Sequence, residues 1–146
     1  MKTLLLSVSV CVGIVAGLRA DPTIKFDDLP SSFFPVPPGY HELFWSNINY
    51  LDAVHYSGNP SGFQAGVVST NNMIYGGNGS TAVIAAGMFD FISATAISAF
   101  NDNLQFEAKG YIDGTLVYDQ TNTLSAVAPT LIQFDFYGVD EVDLTS

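Results

Sequence analysis

Between Leu104 and Leu124 polar and apolar residues alternate, with Leu104, Phe106 and Ala108 on one parity and Gln105, Glu107 and Lys109 on the other. A period of two sends successive side chains to opposite faces of a strand. The dipeptide Asp113-Gly114 then interrupts the run, and it supplies the two positive φ values of a type I′ turn, so this segment reads as a β-hairpin. Beyond residue 20 no window sustains apolar spacings of three and four. Instead, β-branched and aromatic runs recur with turn residues between them, at the spacing of a β-sandwich or barrel.

The expected strands are 23–27, 43–50, 64–69, 72–75, 81–85, 88–100, 104–112, 115–124, 131–136 and 141–145. Near the C-terminus Ile132, Phe134 and Phe136 alternate with Gln133 and Asp135, which turns the aromatics inward. Residues 29–41 carry Pro30, Pro35, Pro37 and Pro38 and read as a long extended loop, since proline cannot donate to a sheet ladder. Residues 57–63 are built from turn-forming types and read as a second loop. The fold class is therefore all-β, a single antiparallel β-sandwich or barrel with about 8–10 strands, and the family resemblance given below implies the sandwich of jelly-roll type.

The chain opens on Met1-Lys2-Thr3, an apolar run from Leu4 to Val15 and the small pair Ala16-Gly17, the pattern of a secretory signal peptide. Cleavage after Gly17 or Ala20 fits, and Ala20 is favoured. This gives a signal peptide over residues 1–20 and a secreted, extracellular domain over 21–146. The apolar run is short for a membrane span. Cys11, the one cysteine, lies inside it, so the exported part has neither a disulfide nor a thiol nucleophile and must be stabilised by its core. Eleven Phe and seven Tyr supply the means. Asn78-Gly79-Ser80 is an N-glycosylation sequon, with Asn78 the acceptor.

The net charge is −10 over the whole chain and about −12 once Lys2 and Arg19 are removed with the export segment. Such a surface repels phosphate backbones and anionic lipid headgroups. Nucleic-acid and membrane partners are excluded on this ground, while neutral glycans, cations and basic protein surfaces remain.

Several motifs follow one another in a definite order: Phe26-Asp27-Asp28-Leu29, Pro38-Gly39-Tyr40, Leu43-Phe44-Trp45-Ser46-Asn47, Asn101-Asp102-Asn103-Leu104, Gly110-Tyr111-Ile112-Asp113-Gly114, Leu116-Val117-Tyr118 and Phe136-Tyr137-Gly138-Val139-Asp140. This order resembles a family of exported jelly-roll domains of galactose-binding-like type, found in bacterial exported proteins with a C-terminal sorting tag and in short fungal secreted proteins. The chain ends at Ser146 without a Pro-rich sorting tag, which brings it nearer the fungal members. The resemblance implies an effector-like virulence protein that acts on a host.

Chemistry-bearing residues are sparse. Only His41 and His55 could serve a serine-type nucleophile as base, and neither lies in a nucleophile motif or at zinc-ligand spacing. Glu42 and Glu107 are the carboxylates for a glycosidase pair, but Glu107 more simply faces solvent opposite Lys109. Asp27, Asp28, Asp140 and Glu141 are candidate metal ligands, because the first and last strands, if paired, would bring hard oxygen ligands together for a structural calcium. No other cofactor is expected. Of the aromatics near loops, Trp45 reads as core, and Tyr40 and Tyr56 read as rings on which a sugar could stack, with Asn47 and Asn59 bonding its hydroxyls. The sequence thus favours a non-catalytic, monomeric secreted binding protein with a host protein or neutral glycan as partner. The competing readings are a structural cell-surface or coat protein and a small carboxylate- or metal-dependent hydrolase.

Overall fold

The structure is a computed structural model that describes residues 4–11, 23–76 and 79–146, the first of these segments as backbone only. Nine strands are described: β1 (Leu4–Cys11), β2 (Phe33–Pro35), β3 (Phe44–Ser46), β4 (Ile48–Asp52), β5 (Asn72–Gly76), β6 (Ala82–Ser98), β7 (Leu104–Ile112), β8 (Thr115–Leu124) and β9 (Thr130–Thr145), with one short α-helix, α1 (Gly62–Ala65), and a 3-10 turn over Tyr40–Glu42. They form an antiparallel, all-β sandwich. Its ladder runs β2-β4-β5-β1-β6-β9-β7-β8, and β3 joins β6 beside it.

The hairpin falls where the alternation puts it. Leu104 faces Leu124, Ile112 faces Thr115, and Asp113 and Gly114 take φ of 49° and 72° between them. Glu107 and Lys109 pair at 2.7 Å on the outer face, as expected.

Two pairs of expected strands merge. Residues 81–85 and 88–100 form the single strand β6, and 131–136 and 141–145 form β9. The gaps left between these expected strands, which hold Gly87 and Gly138, are bends within continuous strands. Register shifts lie between Ala85 and Ser93 on β6. The facing part of β9 holds Asp135 at φ 54° and Gly138 at φ 65°. Asp90 on β6 ties the bend down by accepting the Gly138 N–H at 2.7 Å. Bulges of this kind increase local twist, and here they let two long strands serve both layers of the sandwich.

The main core contains Phe89, Phe91, Phe106, Phe134 and Phe136, all buried. Phe91 and Phe134 lie 4.7 Å apart, and Phe106 meets Phe134 edge-on at 6.2 Å. Burial stabilises by about 1.5–3 kcal/mol for each such ring, which is how a domain without disulfides holds together.

A second, smaller core lies on the other face of β4 and β5, where Leu51, Met73 and Tyr75 meet Ile97 of β6, Ala99 just after it and Phe63 of α1. Every residue of β5 is buried for this reason. The expected strand over 64–69 is not formed: α1 and the turn after it press against β6 instead, with the Gly62 N–H donating to the Ala99 carbonyl at 2.8 Å. Phe63 fills the second core from there, a role that needs a tight turn rather than an extended chain.

The expected strand over 23–27 lies outside the ladder, and β1 stands between β5 and β6. The expected strand over 43–50 is split into β3 and β4 by Asn47, whose φ is 54°. Within the proline-rich loop a three-residue strand, β2, pairs with β4.

Candidate functional site

Three places in the structure bear on a site, and residues singled out by sequence mark two of them. The first is the corner formed by residues 26–47. Phe26, Gly39, His41, Glu42 and Asn47 all take positive φ there, from 51° to 77°. Non-glycine residues avoid this region, so such a cluster has to be held by its surroundings. Three rings hold it. Phe26 stacks on Tyr40 at 5.5 Å and meets Trp45 edge-on at 5.5 Å, and Trp45 donates its indole N–H to the Tyr40 carbonyl at 2.8 Å. Trp45 is buried, as its apolar neighbours Leu43 and Phe44 suggested.

Tyr40 is half-buried within this stack. Its hydroxyl donates to Asp28 Oδ1 at 2.5 Å, and His41 lies edge-on to its ring at 4.4 Å. Burial, followed by the bond to the Asp28 carboxylate, raises the phenol well above its usual range. Tyr40 therefore keeps its proton and acts here as a strut. Asn47 donates to the Thr81 carbonyl at 3.0 Å.

The second place is the loop over 53–61. Tyr56 packs on Phe63 at 4.6 Å. Asn59 is fully engaged, donating to the carbonyls of Ala53 and Val54 at 3.1 and 3.2 Å and accepting from the Ser61 hydroxyl at 3.0 Å. Thus Tyr40 and Asn47 share the corner, while Tyr56 and Asn59 share this loop. Beside it, exposed His55 takes Asp52 at 2.8 Å through Nδ1. Burial acts to raise the Asp52 carboxyl, but the His55 ring and backbone bonds outweigh it and hold the group below its usual value, with Ser31 adding to them. The Ser31 hydroxyl sits on the carboxylate, whereas nucleophilic catalysis requires it on the imidazole.

The four candidate metal ligands are distributed differently from the expectation. Asp27 accepts from the Ser69 hydroxyl at 3.0 Å and the Thr70 N–H at 3.2 Å, while Asp28 holds Tyr40. Asp140 accepts the Asp113 N–H at 2.6 Å beside the hairpin turn, and Glu141 lies opposite Ala85 and Tyr111. The expected route to convergence was pairing of the first and last strands, but the partners of β9 are β6 and β7. Among the described residues no group of three or more His, Cys, Asp or Glu side chains is gathered for a metal. Asn78 lies outside the described residues, and Gly79 and Ser80 of its sequon are exposed.

The third place was not anticipated. Among the described residues strand β2 is one end of the ladder and pairs with β4 alone, and it presents Phe33 and Phe34 at 63% and 59% exposure. Phe33 leans on Tyr75 at 5.7 Å and extends the second core to the surface. Burial raises the Tyr75 phenol to about 12, so Tyr75 keeps its proton well into the alkaline range. The sequence signal was present in two adjacent phenylalanines between Ser32 and Pro35. The surrounding prolines masked it by marking the segment as loop.

No protein-family model, curated protein or solved structure matches this chain.

Proposed function

We propose that this is a non-catalytic binding protein that is secreted and engages a host protein through the β2 edge, in the manner of an effector. The observation that carries the reading is the adjacent exposed pair Phe33 and Phe34 on an edge strand. Exposed rings on a strand with no second ladder partner among the described residues suit recognition by strand addition, where main-chain bonds give affinity and side-chain contacts give selectivity. The strongly negative surface supports a partner with a basic rim. The resemblance to exported jelly-roll domains belongs to the same reading.

A neutral glycan is the weaker partner. The Tyr40 hydroxyl, Asn47 Nδ2 and the Asn59 amide are engaged in internal bonds, and the rings of Phe33 and Phe34 offer a sugar no hydrogen bond. A coat protein is the second reading, favoured by the fact that the ladder has two ends, β2 and β8.

The test is retention by purified Asp21–Ser146 of proteins from a host extracellular extract and of a panel of wall glycans, with and without calcium. A host protein whose capture falls at least tenfold with Phe33→Ser/Phe34→Ser, at unchanged melting temperature, supports the reading. Capture that ignores this substitution refutes the β2 site. Capture of glycan alone favours the lectin-like alternative, and self-assembly with nothing retained favours the coat.

A further inference from the structure

The position of β1 carries a consequence for the exported chain. Leu4–Cys11 stands between β5 and β6, and seven of its residues are in register with β6, from Leu4 opposite Ser98 to Cys11 opposite Asp90. These same residues are the apolar middle of the export segment. Cleavage after Ala20 would strip one side of β6 over 90–98, where about four residues would each present an N–H and a C=O to the gap. Buried backbone groups do not stay unpaired.

We propose that in the processed chain the segment Thr23–Phe26 moves into the ladder beside β6 and takes the place that β1 holds here. This rests on the export reading of residues 1–20. Four observations support the exchange.

First, the segment already alternates as a strand does: Thr23 and Lys25 are exposed, while Ile24 and Phe26 are each 1% exposed. Second, its two faces already match those of β6. Ile24 and Phe26 share the main core with Ala94 and Ala96, and Thr23 and Lys25 line one recess with Ser93 and Thr95. Third, it already touches the far wall of the gap. Asn72, at the start of β5, donates through Nδ2 to the carbonyls of Phe26 and Leu29 at 2.9 and 2.8 Å. The segment therefore sits against the two strands that flank β1. Fourth, Phe26 is held at φ 62°, a conformation unfavourable for a bulky residue. Extension of Thr23–Phe26 along β6 would relax Phe26 to the β region. The exchange keeps Ile24 and Phe26 on the core side and gives β6 a ladder partner in place of β1.

The experiment secretes the full chain and measures two things. Intact mass shows whether the product begins at Asp21. Amide hydrogen exchange over residues 93–97 is then compared between that product, its Lys25→Pro and Lys25→Ala variants, and a cleavage-blocked precursor. Proline lacks the N–H and is not accepted in a central strand, and because Lys25 is exposed, its replacement removes no core contact.

The expected result is a monomeric product starting at Asp21 in which these amides are protected, with exchange at least tenfold faster in Lys25→Pro and unchanged in Lys25→Ala. In the precursor Lys25→Pro should have no effect there. If Lys25→Pro does not fold, cross-strand proton contacts between Ile24 or Lys25 and residues 93–96 in the unmutated product decide the matter. Unprotected amides, or protection that appears only with self-association, overturn the proposal while leaving the export reading intact. A product that retains residues 1–20 overturns both.

Discussion

Gly62→Ala separates two reasons for a glycine. At Gly62 the backbone φ is not positive, so conformational freedom is not the issue. A Cβ added there would fall on the Ser98 carbonyl oxygen, with the Ser98 carbonyl carbon at 2.8 Å and the Ala99 oxygen at 2.9 Å. These atoms belong to the backbone of the end of β6 and the residue after it, in a strand ladder that cannot yield as a flexible side chain would. The turn must therefore lift away, which breaks the Gly62 N–H to Ala99 bond and withdraws Phe63 from the second core. Overpacking of this kind costs about 2 kcal/mol, and the lost hydrogen bond about 1 kcal/mol more. For a domain of this size about 3 kcal/mol lowers the melting temperature by roughly 12 °C.

The assay is thermal unfolding of Asp21–Ser146 by circular dichroism, with Gly87→Ala as control. Gly87 lies at the bend of β6 with nothing within 4 Å of an added Cβ, and Gly→Ala at such a site changes stability by less than about 1 kcal/mol. A Gly62→Ala protein that melts within about 2 °C of the parent would refute the reasoning. It would mean that α1 is not held against β6 by backbone contact.

Asn72 is 5% exposed and its Oδ1 has no partner among the described residues, so its value lies in Nδ2 and the two carbonyls it serves. Asn72→Ala should cost about 2 kcal/mol in urea unfolding. Asn72→Asp should cost more at pH 7, because it turns a carboxylate toward carbonyl oxygens; equal costs would show that Nδ2 is not the working atom. The backbone N–H of Ala126 at 2.9 Å and the Ser125 hydroxyl at 3.1 Å hold the Asp102 carboxyl below its ordinary value of 3.8. A depressed carboxyl adds stability that is present above the unfolded value and is lost as pH falls through the folded one. The urea midpoint of the parent should thus fall more steeply than that of Asp102→Asn below about pH 4. Parallel curves would remove Asp102 as a contributor.

The legible parts of the fold were those fixed by local chemistry. The hairpin over 104–124 is set by period-two alternation and one Asp-Gly turn, which act within about twenty residues. The inward aromatics of β9 and the burial of Trp45 follow from the same patterning. The site was less legible. Tyr40, Tyr56, Asn47 and Asn59 were chosen for the chemistry they could offer a ligand, and folding spends much of that chemistry on internal bonds. Phe33 and Phe34 were passed over because their flanking prolines argue against a strand, yet three residues suffice to pair with β4 at the end of a ladder.

By itself the sequence determined an all-β chain, the faces its strands bury and a net negative charge, because period, turn residues and composition are written along the chain. Only the tertiary structure decided that Gly87 and Gly138 bend strands rather than end them, that residues 62–66 cap a second core, and that the acidic pairs at the two ends go to different partners. Each of these depends on which distant backbone lies alongside. Ladder bonds and close packing between residues far apart in the chain leave no periodic trace within it.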